Sequence, residues 1–372
     1  MKERIGIITF HCSHNYGSIL QSYALQKYLI NKNYDVKIID YTLRWDYEYY
    51  QLFRRELYRY SKKAVLSDLF YFKKNLKRKY NFEKFSKRHL ITTNKKYYDF
   101  QPMEDLNSDF DIFICGSDQI WNFDCTRQII PAYFLDFADN TKIKIAYAPS
   151  MAHSSFYNID KVKLQYLLNK IDYISVREKS TINILKDITD KPIECVLDPT
   201  LLLEASDYNN LMEDYKVKEK YIFMYMLEEN HEMIEYCRRL SKVENMKVYY
   251  IRKKNINELI NSKNVYGISP GQFLYLIKNS QFIITNSFHA TVFSILFEKK
   301  FITFKTQKSY LRMTDLLVNI NLQERIYSKI TNMQSEIDYR QAHDKLKNLR
   351  KYSEEYLNRG LMCGKDMREK NE

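Results

Sequence analysis

The sequence predicts an α/β fold with two doubly wound parallel sheets that face each other across a cleft. Short, continuous apolar runs alternate with amphipathic helical patterns along the chain, which is typical of parallel strands covered by helices on both faces. The chain has 372 residues, of which 45% are hydrophobic, so it is long enough and apolar enough for two domains that each have a core.

The first half begins with a predicted buried strand at Ile5–Phe10 and a helix at Ser18–Ile30. The later strands share short apolar sequences and are predicted at Val36–Asp40, Ile112–Cys115, Ile143–Ala148 and Tyr173–Val176. A short helix is expected from Lys179. These elements predict an N-terminal Rossmann-like domain at residues 1–195.

The second half follows the stretch VLDPTLLL, residues 196–203, and repeats the alternation of strand and helix. Its predicted strands are Tyr221–Met226, Lys247–Ile251, Phe282–Thr285 and Phe301–Phe304. Its predicted helices are Glu232–Ser241, Pro270–Lys278 and one that begins near His289. We assign residues 196–330 to a C-terminal Rossmann-like domain. The tail, residues 331–372, is predicted to form a helix over Met333–Arg359, because its apolar residues lie roughly on one stripe.

A basic, aromatic insertion of residues 44–98 interrupts the first domain. Between Arg44 and Lys96 there are 16 Lys and Arg residues against 5 Asp and Glu, so this segment carries most of the net charge of +13. Its helical spacing is compatible with two structures, a solvated helical insertion whose aromatic residues pack on the core or an amphipathic surface that binds anionic lipid. No nucleic-acid motif accompanies the charge, and we expect no nucleic-acid partner.

The cysteines and the apolar runs predict the cellular location. The six cysteines are widely spaced and form no CxxC pair, which favours reduced thiols in a cytoplasm and argues against a disulfide framework or a zinc site. The opening MKERIGIITF is expected to be a first strand and not a signal peptide. No apolar run approaches the ~20 residues that span a bilayer. The expected location is cytoplasmic, at most peripheral to the inner face of the membrane, with no metal.

Polar clusters follow four of the predicted strands, at the end where doubly wound sheets bind ligands. In HCSHNYGS, residues 11–18, Gly17 permits a tight turn and His11, His14 and Asn15 face the cleft, although an ordinary capped turn would also explain the pattern. The motif is not GxGxxG, so no dinucleotide is indicated.

The next two clusters carry an acid and a guanidinium. In CGSDQIWN, residues 115–122, Asp118 could accept a proton from a substrate hydroxyl, or could simply cap a turn. In SVREKS, residues 175–180, Arg177 suits a carboxylate or phosphate, but an Arg followed by Glu is also a common surface ion pair.

The fourth cluster, TNSFHA, occupies residues 285–290 between a strand and a helix. Asn286 and Ser287 are good helix N-caps. His289 lies at the helix N-terminus, where free N–H groups and the positive end of the helix dipole bind phosphates. Together the four clusters indicate a site for an anionic small molecule between the domains.

The ordered motifs TFHCSHNYGSILQSYAL, GSDQIWN, YFLDF, KIAYAPS, YISVREKS, VLDPTLLL and ITNSFHATVFSILF resemble the polysaccharide pyruvyl transferase family, over roughly residues 4–305. The resemblance implies a GT-B-like fold with the donor in the cleft, bound by the second domain, and a C-terminal helix that packs back on the first. It also implies transfer of pyruvate from phosphoenolpyruvate, as donor substrate and without a cofactor, to a sugar of a cell-surface polysaccharide or its lipid-linked precursor.

The resemblance implies that Arg177 and His289 contact the donor, and the other expected roles follow from the polar clusters. His289, Arg177 and Asp118 are the catalytic candidates. The donor-binding candidates are Asn286, Ser287, Arg177, His289, Asn15 and Gly17, and the acceptor-binding candidates are His11, His14 and Trp121. The family's Arg-x-His motif is present as Ser287-Phe288-His289, so an arginine is missing. The loss of a charged hydrogen bond could cost ~1.5–3 kcal/mol, so another basic residue or another donor is implied.

Two other functions fit the same pattern. A GT-B glycosyltransferase would use a nucleotide sugar in the cleft, and Ser287 makes a change of donor more plausible. A non-catalytic partner in a polysaccharide assembly complex would bind through the basic helices instead. Fold alone does not decide between these functions.

Overall fold

The computed structural model describes residues 2–54, 58, 61–99, 101–152, 160–306, 310–329 and 335–369, with side chains in the last range to residue 362. In these residues the chain forms two parallel sheets with helices on their faces, so the predicted α/β fold with two doubly wound domains is confirmed.

The first sheet has seven parallel strands in the order β3-β2-β1-β4-β5-β6-β7, the strand order of a Rossmann fold with one added strand. Its central strands are buried along their whole length, which explains why they appear in the sequence as uninterrupted apolar runs. The strands are β1 (Arg4–Ile8), β2 (Asp35–Thr42), β3 (Thr92–Tyr98), β4 (Ile112–Gly116), β5 (Ile143–Tyr147), β6 (Tyr173–Val176) and β7 (Ile193–Cys195).

The second sheet has five parallel strands in the order β10-β9-β8-β11-β12. As in the first sheet, the order in which strands are added reverses beside the first strand of the domain. Its strands are β8 (Tyr221–Tyr225), β9 (Lys247–Ile251), β10 (Ser262–Asn264), β11 (Phe282–Thr285) and β12 (Lys300–Thr303). In each sheet the point of reversal, between β1 and β4 or between β8 and β11, is the place where such folds bind ligands.

The helices of the described residues cover both sheets and connect them. They are α1 (Tyr16–Asn31), α2 (Arg44–Tyr49), α3 (Lys62–Phe70), α4 (Phe72–His89), α5 (Leu106–Asp109), α6 (Phe123–Thr126), α7 (Lys161–Asn169), α8 (Lys179–Leu185), α9 (His231–Glu244), α10 (Pro270–Asn279), α11 (Phe288–Leu296), α12 (Tyr310–Asn319) and α13 (Tyr339–Glu369). The predicted start of the last helix at Met333 lies outside the described residues.

The basic insertion is not entirely helical, in contrast to the sequence prediction. Its last residues form β3, an edge strand that pairs with β2. The sequence TTNKKYY escaped the prediction because it is polar on both faces, and lysines on an edge strand protect it against pairing with other chains.

The helix α4 of the insertion connects the two domains. Its Phe82 and Phe85 are buried in the main core. Arg78 donates hydrogen bonds to the carbonyl of His14 in the first domain and, over 3.1 Å, to the hydroxyl of Tyr266 in the second. Arg78 therefore connects the two domains, although it lies within a run of basic residues that the sequence predicts to be on the surface.

The C-terminal helix α13 packs on the first sheet. The hydroxyl of Tyr356, which is buried, donates to the carbonyl of Ala146 on β5 over 2.9 Å. Gly360 allows close contact, because a Cβ there would lie 2.7 Å from Cδ1 of Ile145. Ser353 accepts a hydrogen bond of 2.9 Å from the backbone N–H of Leu197. The helix thereby fixes the segment that follows β7.

The two domains share one hydrophobic core. Tyr16, in the first turn of α1, stacks on Phe273 of α10 with ring centroids 4.4 Å apart, and its hydroxyl donates to the carbonyl of Ile268 over 3.1 Å. Such stacked aromatic pairs contribute about 0.5–1.5 kcal/mol beyond the area that they bury. This contact brings the carboxyl ends of the two sheets, and the helices that begin there, against each other.

Candidate active site between the two sheets

A buried carboxylate, Asp198, lies at the centre of the region where the sheets meet. It follows β7 and is fully buried. Its Oδ1 accepts hydrogen bonds from the backbone N–H of Thr200 over 3.0 Å and from the Thr200 hydroxyl over 2.6 Å. Its Oδ2 accepts from Nη1 of Arg177 over 2.6 Å and from the hydroxyl of Ser117 over 3.2 Å. Four donors from three segments, those that follow β4, β6 and β7, therefore hold one carboxylate.

The charge of Asp198 is stabilised by these contacts. Burial by itself would raise the pKa of this carboxyl, but the interactions with His289, Arg177 and Thr200 hold its pKa well below the usual range. Asp198 is therefore ionised in the folded protein. Its motif, VLDPTLLL, did not predict a role for it. The sequence feature that could have identified Asp198 as a site residue is an Asp directly before Pro at the end of a short strand.

His289 reaches this carboxylate from the second domain. It lies in the first turn of α11, which Ser287 caps by accepting a hydrogen bond from the N–H of Ala290. Its Nε2 lies 3.5 Å from Oδ2 of Asp198 but forms no hydrogen bond within the described part of the chain. The other side of the imidazole faces Gly17, where a Cβ would overlap Nδ1. Glycine is required at position 17 because the histidine ring occupies the space of a side chain.

Asp118 lies on the same side of the first sheet, after β4. Its backbone has a φ of +60°, a conformation that non-glycine residues rarely adopt and that Asp tolerates better than most. Its Oδ2 accepts a short hydrogen bond of 2.5 Å from the hydroxyl of Ser18, in the first turn of α1. Asp118 thus does more than cap its own turn, since it connects β4 to α1.

Arg177 and Arg312 place two guanidinium groups beside one aromatic ring. The Arg177 guanidinium lies 4.8 Å from the centroid of Phe288, and that of Arg312 lies 5.9 Å from it. Both arginines are buried. Burial and the like charge of Arg177 lower the pKa of Arg312 to about 10. Arg177 pairs with Asp198 and not with Glu178, so the surface ion pair considered for SVREKS is wrong.

These guanidiniums have unused donors. Among the described residues, Nε and Nη2 of Arg177 and Nε of Arg312 are buried without a hydrogen-bond partner. Buried donors of this kind normally find partners, so their presence indicates a place for an anion. Both arginines line a cavity of about 50 Å³ together with Phe288 and Asp198. Arg312 was not among the predicted site residues, because it lies on α12 with no motif around it.

The remaining donor-binding candidates have structural partners in this conformation. Asn286 is fully buried, accepting from the N–H of Leu227 over 2.7 Å and donating to the carbonyl of Glu228 over 2.7 Å. Asn15 caps α1 by accepting from the N–H of Gly17 over 2.8 Å. Asn286 and Asn15 therefore shape the two loops that meet at His289, and their side chains already have partners.

The acceptor-binding candidates divide into two groups. His11 and His14 line a cavity of about 490 Å³ between the end of β1, the end of β2 and α4. Burial and the charges of Arg78 and Lys79 lower the pKa of His14 to about 3, so its ring is neutral. Trp121, in contrast, is fully buried, stacks on Phe134 and donates to the carbonyl of Tyr133 over 2.9 Å. Trp121 is a core residue, and the predicted acceptor contact is wrong for this conformation.

Two parallel sheets with opposed carboxyl ends and a polar site between them are the arrangement of a GT-B-like protein. A solved structure of a candidate UDP-N-acetylglucosamine 2-epimerase from Listeria monocytogenes matches 96% of this chain and 90% of its own, with 10% identity and a TM-score of 0.50. UDP-GlcNAc 2-epimerase from Neisseria meningitidis matches 97% and 94%, with 10% identity and a TM-score of 0.48. The glycosyltransferase SnogD from Streptomyces nogalater matches 99% of this chain and 100% of its own, with 10% identity and a TM-score of 0.44. These likenesses concern the fold alone.

The family model of polysaccharide pyruvyl transferases matches residues 15–308, which is most of the chain. The chain therefore belongs to the polysaccharide pyruvyl transferase family, a family of transferases, as the sequence motifs predicted. No curated protein matches the chain.

The buried pair of Asp198 and Arg177 generates a first prediction. Asp198→Asn should lower the free energy of unfolding by about 3–5 kcal/mol, because it leaves a buried guanidinium without its counter-charge. Urea unfolding measures this loss. Because the pKa of Asp198 is lower in the folded than in the unfolded chain, the loss should be constant above about pH 5 and shrink as the pH falls below about 4.

Asp190→Asn, at an exposed position, is the control and should change stability by less than about 0.5 kcal/mol. Equal effects of the two substitutions would contradict the assignment of a buried, charged pair.

The contact between Gly17 and His289 generates a second prediction. Gly17→Ala should cost about 1–3 kcal/mol of folding stability through overlap with the imidazole. The cost should largely disappear when His289 is also replaced by alanine, giving a coupling free energy above about 0.5 kcal/mol in a double-mutant cycle. The partly exposed His343 serves as the control partner. Equal costs in the His289→Ala and His343→Ala backgrounds would show that the overlap is not what constrains position 17.

Proposed function

We propose that this protein transfers pyruvate from phosphoenolpyruvate to a sugar of a cell-surface polysaccharide or of its lipid-linked precursor. Membership of the family supports the reaction class. The observation that carries the choice of donor is the set of buried, unpartnered N–H donors of Arg177 and Arg312 beside His289. Phosphoenolpyruvate carries a carboxylate and a phosphate within a few bonds of each other, and two guanidiniums with free donors match two anionic groups.

Arg312 supplies the cation that the sequence motif lacks. The family pattern implies an arginine at position 287, where this chain has a serine that caps α11. Arg312 comes from α12 instead and reaches the ring of Phe288, one residue further along. Its lowered pKa of about 10 still leaves the group charged near neutral pH. A positive charge is therefore present near the expected place, although it comes from a different element.

The donor enters this site only when the surrounding side chains move apart. The cavity lined by Arg177 and Arg312 has a volume of about 50 Å³. Ligand pockets are typically ~300–1,000 Å³. The proposed function therefore includes an opening of the cleft, of the kind that two-domain enzymes use to admit a substrate and exclude water. In the closed state a bound anion would accept hydrogen bonds from the unused N–H donors of the two guanidiniums and balance their buried charge.

The reaction needs a proton donor and a proton acceptor. We assign His289 to the phosphate and to protonation of the methylene carbon, which makes the central carbon of the donor an oxocarbenium-like electrophile. A sugar hydroxyl attacks this carbon and loses its proton to Asp118. The bond to the phosphate oxygen breaks and phosphate leaves with the proton from Asp118, after which a neighbouring hydroxyl attacks the same carbon, closes the ketal and gives its proton to His289. Arg177 and Arg312 hold the anionic groups while charge moves between them.

The larger cavity is our candidate for the acceptor. It is lined by His11 and His14 and lies beside the basic insertion. Three lysines and three carboxylates also line it, so it carries charges of both signs: Lys79, Lys87, Lys96, Asp40, Asp46 and Glu83. Such a polar cavity suits a sugar, whose hydroxyls both donate and accept hydrogen bonds. The helix α4 contributes both to this cavity and to the surface that we propose to face the membrane.

That surface is formed by α3 and α4 of the insertion. Leu66, Leu69 and Phe70 are 68%, 59% and 81% exposed, a concentration of apolar surface that folding leaves uncovered. The exposed Lys73 and Lys77 lie on the adjoining helix. In the described residues no helix has the length and apolar character needed to cross a bilayer. An anionic membrane surface fits both the apolar side chains and the charge, so we propose a peripheral contact there.

Calorimetric titration of the purified protein with phosphoenolpyruvate, UDP-sugars and GDP-sugars tests the donor. We expect saturable binding of phosphoenolpyruvate alone. Arg312→Gln should weaken it ~10–150-fold, the equivalent of a charged hydrogen bond of ~1.5–3 kcal/mol. His289→Ala should weaken it as well. Arg238→Gln, which removes a cation from an exposed ion pair on α9, is the control and should leave the affinity unchanged.

Each other outcome has a definite meaning. Binding of a nucleotide sugar in place of phosphoenolpyruvate would indicate a glycosyltransferase in which Ser287 marks the change of donor. Binding of neither ligand to a folded protein would favour a non-catalytic role in polysaccharide assembly.

Sedimentation with phosphatidylserine-containing vesicles tests the membrane contact. The double substitution of Lys73→Glu and Lys77→Glu should weaken binding at least ~10-fold, because each surface cation contributes about 1 kcal/mol to attraction by anionic lipid. Binding should also weaken with added salt. The matched double substitution of Lys218→Glu and Lys220→Glu, at exposed positions of the second domain, should have a much smaller effect. Binding that ignores salt and lipid charge would refute the proposal.

A further inference from the structure

Three potential metal ligands converge at the edge of the large cavity. Nε2 of His11 lies 3.0 Å from Sγ of Cys12 and 3.3 Å from Oδ1 of Asp40, and Sγ lies 3.6 Å from the same Oδ1. His11 and Cys12 follow β1, whereas Asp40 lies near the end of the neighbouring strand β2. The parallel pairing of these strands therefore assembles the cluster from residues 28 positions apart.

These separations fit a divalent ion. Zinc binds sulfur at ~2.3 Å and nitrogen or oxygen at ~2.0–2.2 Å, so the ligand atoms of a tetrahedral site lie ~3.4–3.6 Å apart. The nitrogen–oxygen and sulfur–oxygen distances of the cluster, 3.3 and 3.6 Å, are close to this range. The nitrogen–sulfur distance of 3.0 Å is shorter, and a small rotation of the Cys12 side chain would lengthen it.

The orientation of His11 favours a cation among the three atoms. Its Nδ1 lies 3.2 Å from the carbonyl of Thr9, which can only accept a hydrogen bond, so Nδ1 carries the proton. In the neutral tautomer Nε2 then directs a lone pair towards the Asp40 carboxylate and the Cys12 sulfur. Lone pairs facing a carboxylate repel it unless a positive charge lies between them. A histidine whose second nitrogen donates to a backbone carbonyl is also the usual arrangement of a metal ligand.

We propose that His11, Cys12 and Asp40 bind a divalent transition-metal ion, most suitably Zn²⁺. A thiolate, an imidazole and a carboxylate together favour zinc over magnesium or calcium, which prefer oxygen ligands alone. Three protein ligands leave a fourth position open, as in catalytic zinc sites. All three residues line the cavity of about 490 Å³, so the open position faces a space that holds water or an anionic oxygen.

The sequence predicted no metal site, because the spacing of the cysteines along the chain includes no CxxC pair. Spacing along the chain does not detect this cluster, since one ligand comes from another strand. A proton is the competing cation: burial lowers the pKa of His11, but the neighbouring Cys12 and Asp40 raise it to about 10 in the metal-free chain. Metal binding must therefore displace a proton from His11, and the experiment must distinguish a bound metal ion from a bound proton.

Titration of the chelator-treated, full-length protein with Co²⁺ tests the proposal without reference to activity. Cobalt substitutes for zinc and gives a thiolate-to-metal charge-transfer absorption when a cysteine binds it. We expect this absorption to saturate at one Co²⁺ per chain and to disappear when Zn²⁺ is added. Cys12→Ser should abolish the absorption, and Asp40→Asn should weaken Co²⁺ binding at least tenfold. Cys195→Ser, at a half-buried cysteine outside the cluster, should leave both unchanged.

Circular dichroism and thermal unfolding of each variant verify its fold. If Cys12→Ser does not fold, the partly exposed Asp40→Asn variant decides the question by the affinity for Co²⁺ alone. A folded wild-type protein that shows no charge-transfer absorption in excess Co²⁺ would overturn the proposal and leave a proton as the cation. Absorption that persists in Cys12→Ser, or an affinity unchanged in Asp40→Asn, would overturn it equally.

Discussion

The architecture of the site depends on one buried carboxylate. Asp198 receives donors from Ser117, Arg177 and Thr200, so it connects the ends of β4, β6 and β7 in the first domain. From the second domain His289 reaches the same oxygen. Without these partners, burial of the carboxylate would cost folding free energy. Without the carboxylate, the buried guanidinium of Arg177 would have no counter-charge. The same group therefore holds the strand ends together and aligns the two domains.

The close approach of two helix N-termini follows from this alignment. The helices α1 and α11 begin at the carboxyl ends of strands in opposite sheets, and Gly17 leaves the space that the ring of His289 occupies. The positive ends of both helices and the guanidiniums of Arg177 and Arg312 then lie in one region. Asp198, Asp118 and Glu178 act on the charge of these guanidiniums, but several of their N–H donors stay without a partner among the described residues. These unused donors are the physical basis for the dianionic donor that we propose.

The two cavities differ in chemistry. The small one, beside Arg177 and Arg312, is surrounded by both domains and α13, whose Ser353 also lines it. The large one is bounded by the first domain and by α4, and it combines basic side chains with the cluster of His11, Cys12 and Asp40. The basic insertion bounds the large cavity, joins the domains through Arg78 and exposes the apolar surface of α3. One insertion thereby contributes both to the cavity that we propose for the acceptor and to the proposed membrane surface.

The sequence by itself determined the fold class, most of the strands and the strand ends at which His289, Arg177 and Asp118 lie. These features are local, since a buried parallel strand, a turn and a helix start each have a pattern within about ten residues. Only the tertiary structure decided which side chains meet. In the folded chain Arg177 pairs with Asp198, and Arg312 of α12 lies beside Phe288, next to the position where the family motif has an arginine. Trp121 is buried in the core, and Asp40 lies beside His11 and Cys12. Such contacts depend on strand order and on how the domains pack, and no spacing along a single chain encodes either.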